Sequence, residues 1–422
     1  MDKEEDKTLC RKRVAIVYHV FAHYREPIAR VLCALLPPEP EYVLVSDTRT
    51  TGDGIKGIDP HLAEIPVEAG GLRWQFIRNC RVKGFYWQTG LIGLALSRKF
   101  DVIIYLGVVQ FVSTWVSAIL ARLSGKRVLM WSHGFYGKEG RLKAWIRKVF
   151  YKLAHGMLLY GNWSRQIMIR KGFRPDRLYV IFNSLDYPTQ CEIRGRTDES
   201  ALRQLRQKLF ARPDLPLLAV IGRLTAEKDL GLLVEAASIL ERRGVKVNVL
   251  FIGDGPEADG LKARAAQASR TGQTAFYGPC YDENTLGPLI MASDICVVPG
   301  AVGLTAMHAM AYGTPVITHN EPAWQMPEFE AVVAGKTGDF FRTGDAEDLA
   351  ETIRSWLSYS AQVGRRQVRD DCVEIIAKYY NPDFQARIIN EAVKGTPADA
   401  LPLGEEEFSE SMRRLAMRGT RE

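Results

Sequence analysis

Several things are missing from this sequence, and each absence removes a class. Its seven cysteines, at 10, 33, 80, 191, 280, 296 and 372, contain no C-x-x-C pair. No zinc ribbon or disulfide framework is therefore visible, and the odd count argues for reduced thiols in a cytosolic compartment. The start, Met-Asp-Lys-Glu-Glu-Asp-Lys, is charged and has no apolar leader region, so no secretory signal is expected. No helix-turn-helix, RNP or zinc-finger pattern is present, which sets nucleic acid aside as a partner. Long apolar runs are scarce as well. Val102 to Ala121 is uncharged, but Gly107, Gln110, Ser113, Thr114 and Ser117 interrupt it, and strand-like spacing gives way to helix-like spacing near Phe111. A buried strand followed by a buried helix fits this text better than a membrane span.

What is there is enough for two domains. The chain has 422 residues, 46% of them hydrophobic and 25% charged, which suffices for two separate cores. Charge is unevenly shared. Residues 1–190 carry 29 Lys and Arg against 16 Asp and Glu, a net of +13, whereas residues 191–422 carry 27 against 33, a net of −6. A basic half suits an anionic membrane or a phosphorylated substrate.

Strands alternate with helices in both halves. Val14–Val17, Tyr42–Val45, Asp101–Leu106, Arg127–Trp131, Met157–Tyr160 and Tyr179–Phe182 read as strands of the first half. Leu217–Ile221, Val247–Ile252, Thr274–Tyr277, Ile295–Val298 and a strand re-entering at Val316 restart the pattern. Such alternation predicts two doubly wound α/β domains. We expect a first domain over 1–190, a second over 191–360, terminal helices over 361–394 that cross back to the first domain, and a polar tail over 395–422. Phe408, Met412 and Leu415 share one face of that tail, which allows a short docking helix.

Two segments interleave cations with aromatics. Arg73–Lys83 reads best as a half-buried strand, while Phe85–Trp87 fits either a strand or a headgroup-level patch. A helix over Arg141–Leu153 carries Arg141, Lys143, Arg147, Lys148 and Lys152 around Trp145, Ile146, Val149 and Phe150. It is the foremost membrane-surface candidate, although a core-facing apolar stripe gives the same periodicity.

Candidate ligand residues cluster where strands end. His19, His23, Tyr24 and Arg25 follow the first strand, and His133 follows the strand ending at Trp131, beside Gly134. Ligands of open α/β sheets bind at such ends. In the second half, Ile295 to Thr318 reads as strand, glycine loop, helix, turn and strand, with Gly300 and Gly303 opening the backbone to a ligand. A helix beginning near Gly303 would offer unpaired N–H groups to a phosphate.

Four motifs, Gly222-Arg-Leu-x-x-x-Lys228, Gly253-Asp-Gly-Pro256, Pro299-Gly-x-x-Gly-Leu and Ala309-Met-Ala-x-Gly-Thr-Pro-Val316, stand in fixed order. Together they resemble the retaining glycosyltransferases of family 4, most strongly over residues 217–350. The resemblance implies a GT-B fold, two Rossmann-like domains facing across a cleft. It implies a nucleotide-diphosphate sugar in the C-terminal domain and an acceptor, a cell-envelope glycan or a lipid-linked molecule, in the N-terminal one. Arg223 and Lys228 would stabilise the departing diphosphate in place of a metal ion, and no Asp-x-Asp stands at a strand end, so no metal or other cofactor is expected. Gly253, Asp254, Gly300, Gly303, Leu304 and Thr305 would line the donor, and His133 would contact its sugar or position the acceptor. The family usually has two glutamates eight positions apart where this sequence has Gly300 and His308. His308 is then expected to bond the ribose, and Glu328 or Glu330 to replace a sugar contact. A nucleotide-sugar epimerase or hydrolase and a non-catalytic binding paralogue share the fold and compete with the transferase reading. The expected place of work is the cytoplasm, with peripheral association at the inner face of the plasma membrane left open.

Overall fold

The computed structural model describes residues 11–49, 56–135, 139–268 and 272–419. The chain forms two compact units. One comprises residues up to Leu185 together with Pro382–Leu403, and the other comprises Asp186–Asn381 and the segment from Gly404.

The first unit contains the strands β1 (Arg13–Val17), β2 (Glu41–Ser46), β3 (Trp74–Phe76), β4 (Asn79–Val82), β5 (Phe85–Gln88), β6 (Val102–Leu106), β7 (Arg127–Ser132), β8 (Gly156–Leu159) and β9 (Leu178–Val180). Seven of them form a parallel sheet in the order β3-β2-β1-β6-β7-β8-β9, and β4 and β5 pair as a separate antiparallel hairpin. The central strands are apolar on both faces, as a sheet covered by helices on each side requires. Val14, Ala15, Ile103, Ile104, Val128, Leu129 and Leu158 are all fully buried. The order reverses between β1 and β6, so the carboxyl ends of those strands flank a switch point.

The helix Pro382–Lys394 belongs to this unit although it comes late in the chain. Tyr42 Oη donates to Asn390 Oδ1 at 2.6 Å, and Gln385 Nε2 donates to the Phe182 carbonyl at 2.6 Å. Of the residues 361–394, the helix Arg365–Tyr379 instead packs in the second unit.

The second unit contains β10 (Leu217–Ile221), β11 (Asn248–Ile252), β12 (Thr274–Gly278), β13 (Ile295–Val298), β14 (Val316–His319) and β15 (Gly338–Phe341). They form one parallel sheet in the order β12-β11-β10-β13-β14-β15, with its switch point between β10 and β13. β15 has no counterpart among the expected strands. It starts with glycine and aspartate, which carry little strand signal. A Cβ on Gly338 would lie 1.8 Å from the Val316 carbonyl oxygen, so the β14–β15 pairing depends on glycine there.

The terminal segment forms a helix, Glu405–Gly419, with Phe408 and Leu415 buried and Ser411 Oγ donating to the Val332 carbonyl at 3.2 Å. The shared face of Phe408, Met412 and Leu415 is thus a docking face.

The helix Arg141–Tyr151 resolves the ambiguity of its periodicity. Only Phe150 and Tyr151 are buried, while Leu142, Trp145, Ile146 and Val149 are exposed, Trp145 at 63%. The helix Val112–Leu123 also exposes a stripe, Val112, Val116, Ile119 and Leu123. Trp115 of that helix packs on Phe150 with ring centroids 4.7 Å apart. In the β4–β5 hairpin, Val82, Phe85 and Trp87 face solvent. Among the described residues, no helix is long and apolar enough to cross a membrane.

Candidate active site

In the second unit, the loops after β10, β11 and β13 meet backbone to backbone. A Cβ on Gly253 would sit 1.9 Å from the Gly222 carbonyl oxygen, and one on Gly255 would sit 2.3 Å from that of Leu224. Backbone hydrogen bonds lock the contact, Leu224 N–H to Asp254 O at 2.9 Å and Gly222 N–H to Ile252 O at 2.9 Å. Gly222 and Gly303 have φ of +113° and +57°, a region that favours glycine. The Asp254 side chain is exposed and caps its own turn, accepting from Gly255 N–H at 2.8 Å.

Lys228 ends a short 3-10 turn, Ala226–Lys228, that lies against the glycine loop after β13. Its Nζ donates to the carbonyls of Ala301 and Val302 at 2.7 and 3.1 Å, leaving one of the three ammonium donors that lysine carries. Gly300 N–H donates to the Lys228 carbonyl at 2.8 Å. Burial pushes the Lys228 ammonium down, and the nearby Glu328 and Glu227 carboxylates only partly oppose that. A bound anion would relieve the deficit. Arg223 is exposed and forms no hydrogen bond or ion pair among the described residues.

The helix Thr305–Ala311 follows with Leu304 at its N-cap and Gly313 (φ +79°) as its left-handed stop. Thr305 Oγ1 donates to the Ile221 carbonyl at 3.1 Å, which ties the helix start to β10. Gln325 anchors the loop from the other side. It accepts from Val302 N–H at 2.9 Å and donates to Thr318 Oγ1 and the His319 carbonyl. The turn Pro327–Ala331 carries Glu328 and Glu330, both buried. Glu328 is near enough for its charge to act on Lys228.

His308 does not stand alone. Its Nε2 lies 3.1 Å from Glu283 Oε1, and Tyr312 Oη donates to Glu283 Oε2 at 2.7 Å. Burial pushes the Glu283 carboxyl up, but the bonds from His308 and Tyr312 outweigh it and hold it below its ordinary range. Gly287 makes room for this group, since a Cβ there would lie 2.7 Å from the Tyr312 ring.

In the first unit, the structure brings together Arg25 and His133, which are 108 positions apart. Arg25 follows β1 and His133 follows β7, with Tyr160 beyond β8 between them. The Arg25 guanidinium donates to Tyr160 Oη, and the His133 and Tyr160 rings are 4.6 Å apart. Burial, followed by the charges of Arg25 and Arg147, pushes the His133 imidazole down to about 4. His133 is therefore neutral around pH 7. Tyr24 flanks the guanidinium at 5.5 Å. His23 adjoins this group through Tyr24, the two rings lying 5.8 Å apart edge to face. The His19 carbonyl accepts from Asn79 Nδ2 while its ring packs 5.9 Å from Phe111, and His23 is exposed with Nδ1 3.2 Å from the Lys56 carbonyl.

Glu283, Gln325, Tyr18, Trp131 and Tyr160 were not among the expected site residues. Tyr18 and Tyr160 each directly follow a strand, the one sequence signal that could have found them. Glu283 and Gln325 reach the site through tertiary contact alone.

Residues 203–377 match the family model Glycosyl transferases group 1. The chain is 30% identical over 150 residues to the sulfoquinovosyl transferase SQD2 of Arabidopsis thaliana, covering 34% of this chain and 27% of that protein. It is 25% identical over 190 residues to a GDP-mannose-dependent alpha-(1-6)-phosphatidylinositol dimannoside mannosyltransferase of Mycobacterium tuberculosis, covering 44% of this chain and 47% of the relative. The chain thus spans less than half the length of these curated relatives. Its fold is similar to that of HepE from Anabaena in complex with UDP, with a TM-score of 0.67 and 16% identity over 91% of this chain and 99% of the other. At that identity the likeness is one of fold, and the fold is GT-B.

Two predictions follow from the geometry. A Cβ at position 300 would lie 2.0 Å from the Glu227 carbonyl oxygen, so Gly300→Glu should destabilise the second unit by about 2 kcal/mol or more, visible in urea unfolding. An unfolding midpoint equal to that of wild type would contradict the contact. For His133, the folded imidazole titrates near 4 and the unfolded one near its ordinary 6.5. The unfolded chain then binds the extra proton between those values. Stability is lost as pH falls from about 6.5 to 4, by on the order of 3 kcal/mol. His133→Gln should flatten that part of the pH–stability curve, and an unchanged slope would contradict the assignment.

Proposed function

From the membership of residues 203–377 in the glycosyl transferases group 1 family, we propose that this protein is a retaining, metal-independent glycosyltransferase. It moves a sugar from a nucleotide diphosphate to a cell-envelope glycan or a lipid-linked acceptor. The observation that carries this reading is the meeting of two loops at the switch point between β10 and β13. One loop presents Arg223 and Lys228, and the other presents the open glycine backbone and a helix start. As the bond from the sugar to the diphosphate breaks, negative charge grows on the leaving phosphate oxygen. Arg223 and the free Lys228 donor supply fixed positive charge there, and the first amides of the Thr305 helix add dipolar donors. His308, braced by Glu283, is the group for the ribose hydroxyls, and Glu328 is favoured over Glu330 for the sugar because its charge reaches Lys228. The acceptor belongs to the first unit, at the carboxyl end of its sheet.

A peripheral stay on anionic membrane at its cytoplasmic face is part of the same reading. Its support is the pair of exposed apolar stripes on helices Val112–Leu123 and Arg141–Tyr151, set among Arg122, Arg141, Lys143 and Lys148 in a half with net charge +13. The mannosyltransferase relative, whose acceptor is a phosphatidylinositol derivative by name, is consistent with a lipid-linked acceptor.

The donor assignment is tested by a thermal-shift panel of UDP, GDP and ADP and their sugars. At least one should raise Tm in wild type, and Arg223→Ala and Lys228→Ala should lose the shift and about 100-fold or more of kcat/KM. Equal stabilisation of wild type and both variants would remove the diphosphate role. Sugar released to water at the full rate without acceptor would favour a hydrolase or epimerase, and binding without turnover with any acceptor would favour a binding paralogue. Separately, Leu142→Asp with Trp145→Asp should lower sedimentation with phosphatidylglycerol vesicles several-fold while leaving nucleotide binding intact. Unchanged vesicle binding would end the membrane proposal.

A further inference from the structure

We propose that the cluster around Arg25 is a subsite for an oxyanion, a carboxylate or phosphate, carried by the acceptor. That the anion belongs to an acceptor rests on the glycosyltransferase reading; the anion site itself does not.

Arg25 is 9% exposed, yet among the described residues no carboxylate pairs with it. Of the five N–H donors of a guanidinium, one is used among the described residues, by Tyr160 Oη. The rings of Tyr18, Trp131, Tyr24 and Tyr160 surround the cation with their centroids 5.0, 5.1, 5.5 and 5.5 Å away. Aromatic faces hold a cation in place but bring no counter-charge. Burial pushes the Tyr18 and Tyr160 phenols up, so both stay protonated and neither neutralises the arginine. A buried charge left in that state is costly. The other arginine of this unit that is as deeply buried, Arg165, is turned onto the Leu178 carbonyl.

A second observation points the same way. Trp131 is 2% exposed, and its indole Nε1, inside the same cluster, has no hydrogen-bond acceptor among the described residues. Spare guanidinium donors and a spare indole donor lack one thing, an acceptor atom bearing negative charge. His133 is neutral beside them, so the subsite carries a single positive charge and suits one anionic group. The cluster sits where β1, β7 and β8 end, the side of an open parallel sheet that receives ligands.

The test uses the full chain and calorimetric titration with glucuronate and hexyl phosphate, with glucose and hexanol as neutral controls at matched chloride. At least one anion should bind saturably and neither neutral compound should. Arg25→Gln should weaken binding about tenfold or more and Trp131→Phe about threefold, as loss of charged and uncharged donors implies, while Arg30→Gln, on the surface pair with Glu26, should change nothing. Preference for glucuronate assigns an acidic glycan, and preference for hexyl phosphate assigns a lipid phosphate. No anion-specific binding to folded wild type, or binding that Trp131→Phe leaves unchanged, overturns the subsite; Trp131→Phe keeps the ring and decides the matter should Arg25→Gln not fold. UDP titrated into the same samples separates the two claims. UDP binding without oxyanion binding removes the subsite alone. Oxyanion binding through Arg25 without any nucleoside diphosphate binding keeps the subsite and removes the transferase reading.

Discussion

Backbone-to-backbone contact among three loops is the constraint from which the second unit's site follows. Glycine stands at 222, 253, 255 and 300 because side chains at 253, 255 and 300 would enter neighbouring carbonyl groups and because the turn at 222 requires a positive φ. The contact does more than save space. It brings the turn of Lys228 against the loop after β13, where two carbonyls take up two of its three donors. A lysine so held cannot swing into water to recover its hydration. Its charge is kept beside the open glycine backbone, and burial there leaves an electrostatic deficit that a bound anion would relieve. Thr305, bonded to the last carbonyl of β10, and Gln325, bonded to Val302, fix the same loop from its other sides. Such a site is organised before any ligand arrives, which suits a transition state whose charge develops in a known place.

The parts of this arrangement that could be seen in the sequence are those imposed locally. Apolar runs marked the central strands, and the glycines marked turns because a positive φ or a close approach is a demand on one position. Tertiary pairings left no such mark. Glu283 meets His308 across 25 positions, and Tyr160 meets Arg25 across 135. The basic helix shows a different limit. Its apolar positions repeat at helical spacing whether they face a core or water, and only packing decides that Phe150 goes in while Trp145 stays out. β15 was hidden because its pairing rests on what Gly338 lacks, a Cβ, and not on an apolar pattern.

Charge divides the chain in a way that matches the two kinds of chemistry. The first half holds the excess of cations and also the exposed apolar stripes, so the features that a membrane surface would attract lie on one unit. Most arginines elsewhere are closed by carboxylates or carbonyls, as Arg206 is by Asp294 and Arg369 is by Glu199. Against that background Arg25 is unusual, and its isolation inside the fold is a statement about a missing partner instead of about solubility.

The same physical terms bear on Gly300 and His308, which stand where the resemblance to family 4 implies glutamates. At 300 the reason is steric, since the backbone of Glu227 and Lys228 occupies the space a side chain would need. At 308 the reason is charge. Glu283 already brings a carboxylate to within 3.1 Å of the side chain there, and a second carboxylate at that distance would raise the pKa of one of the pair and repel the other. A histidine donates to Glu283 instead and, with Tyr312, keeps it ionised. The helix Glu283–Met291 thus places a negative charge beside position 308, held there by His308 and Tyr312. Neither Gly300 nor His308 disturbs Lys228 or the loop it holds.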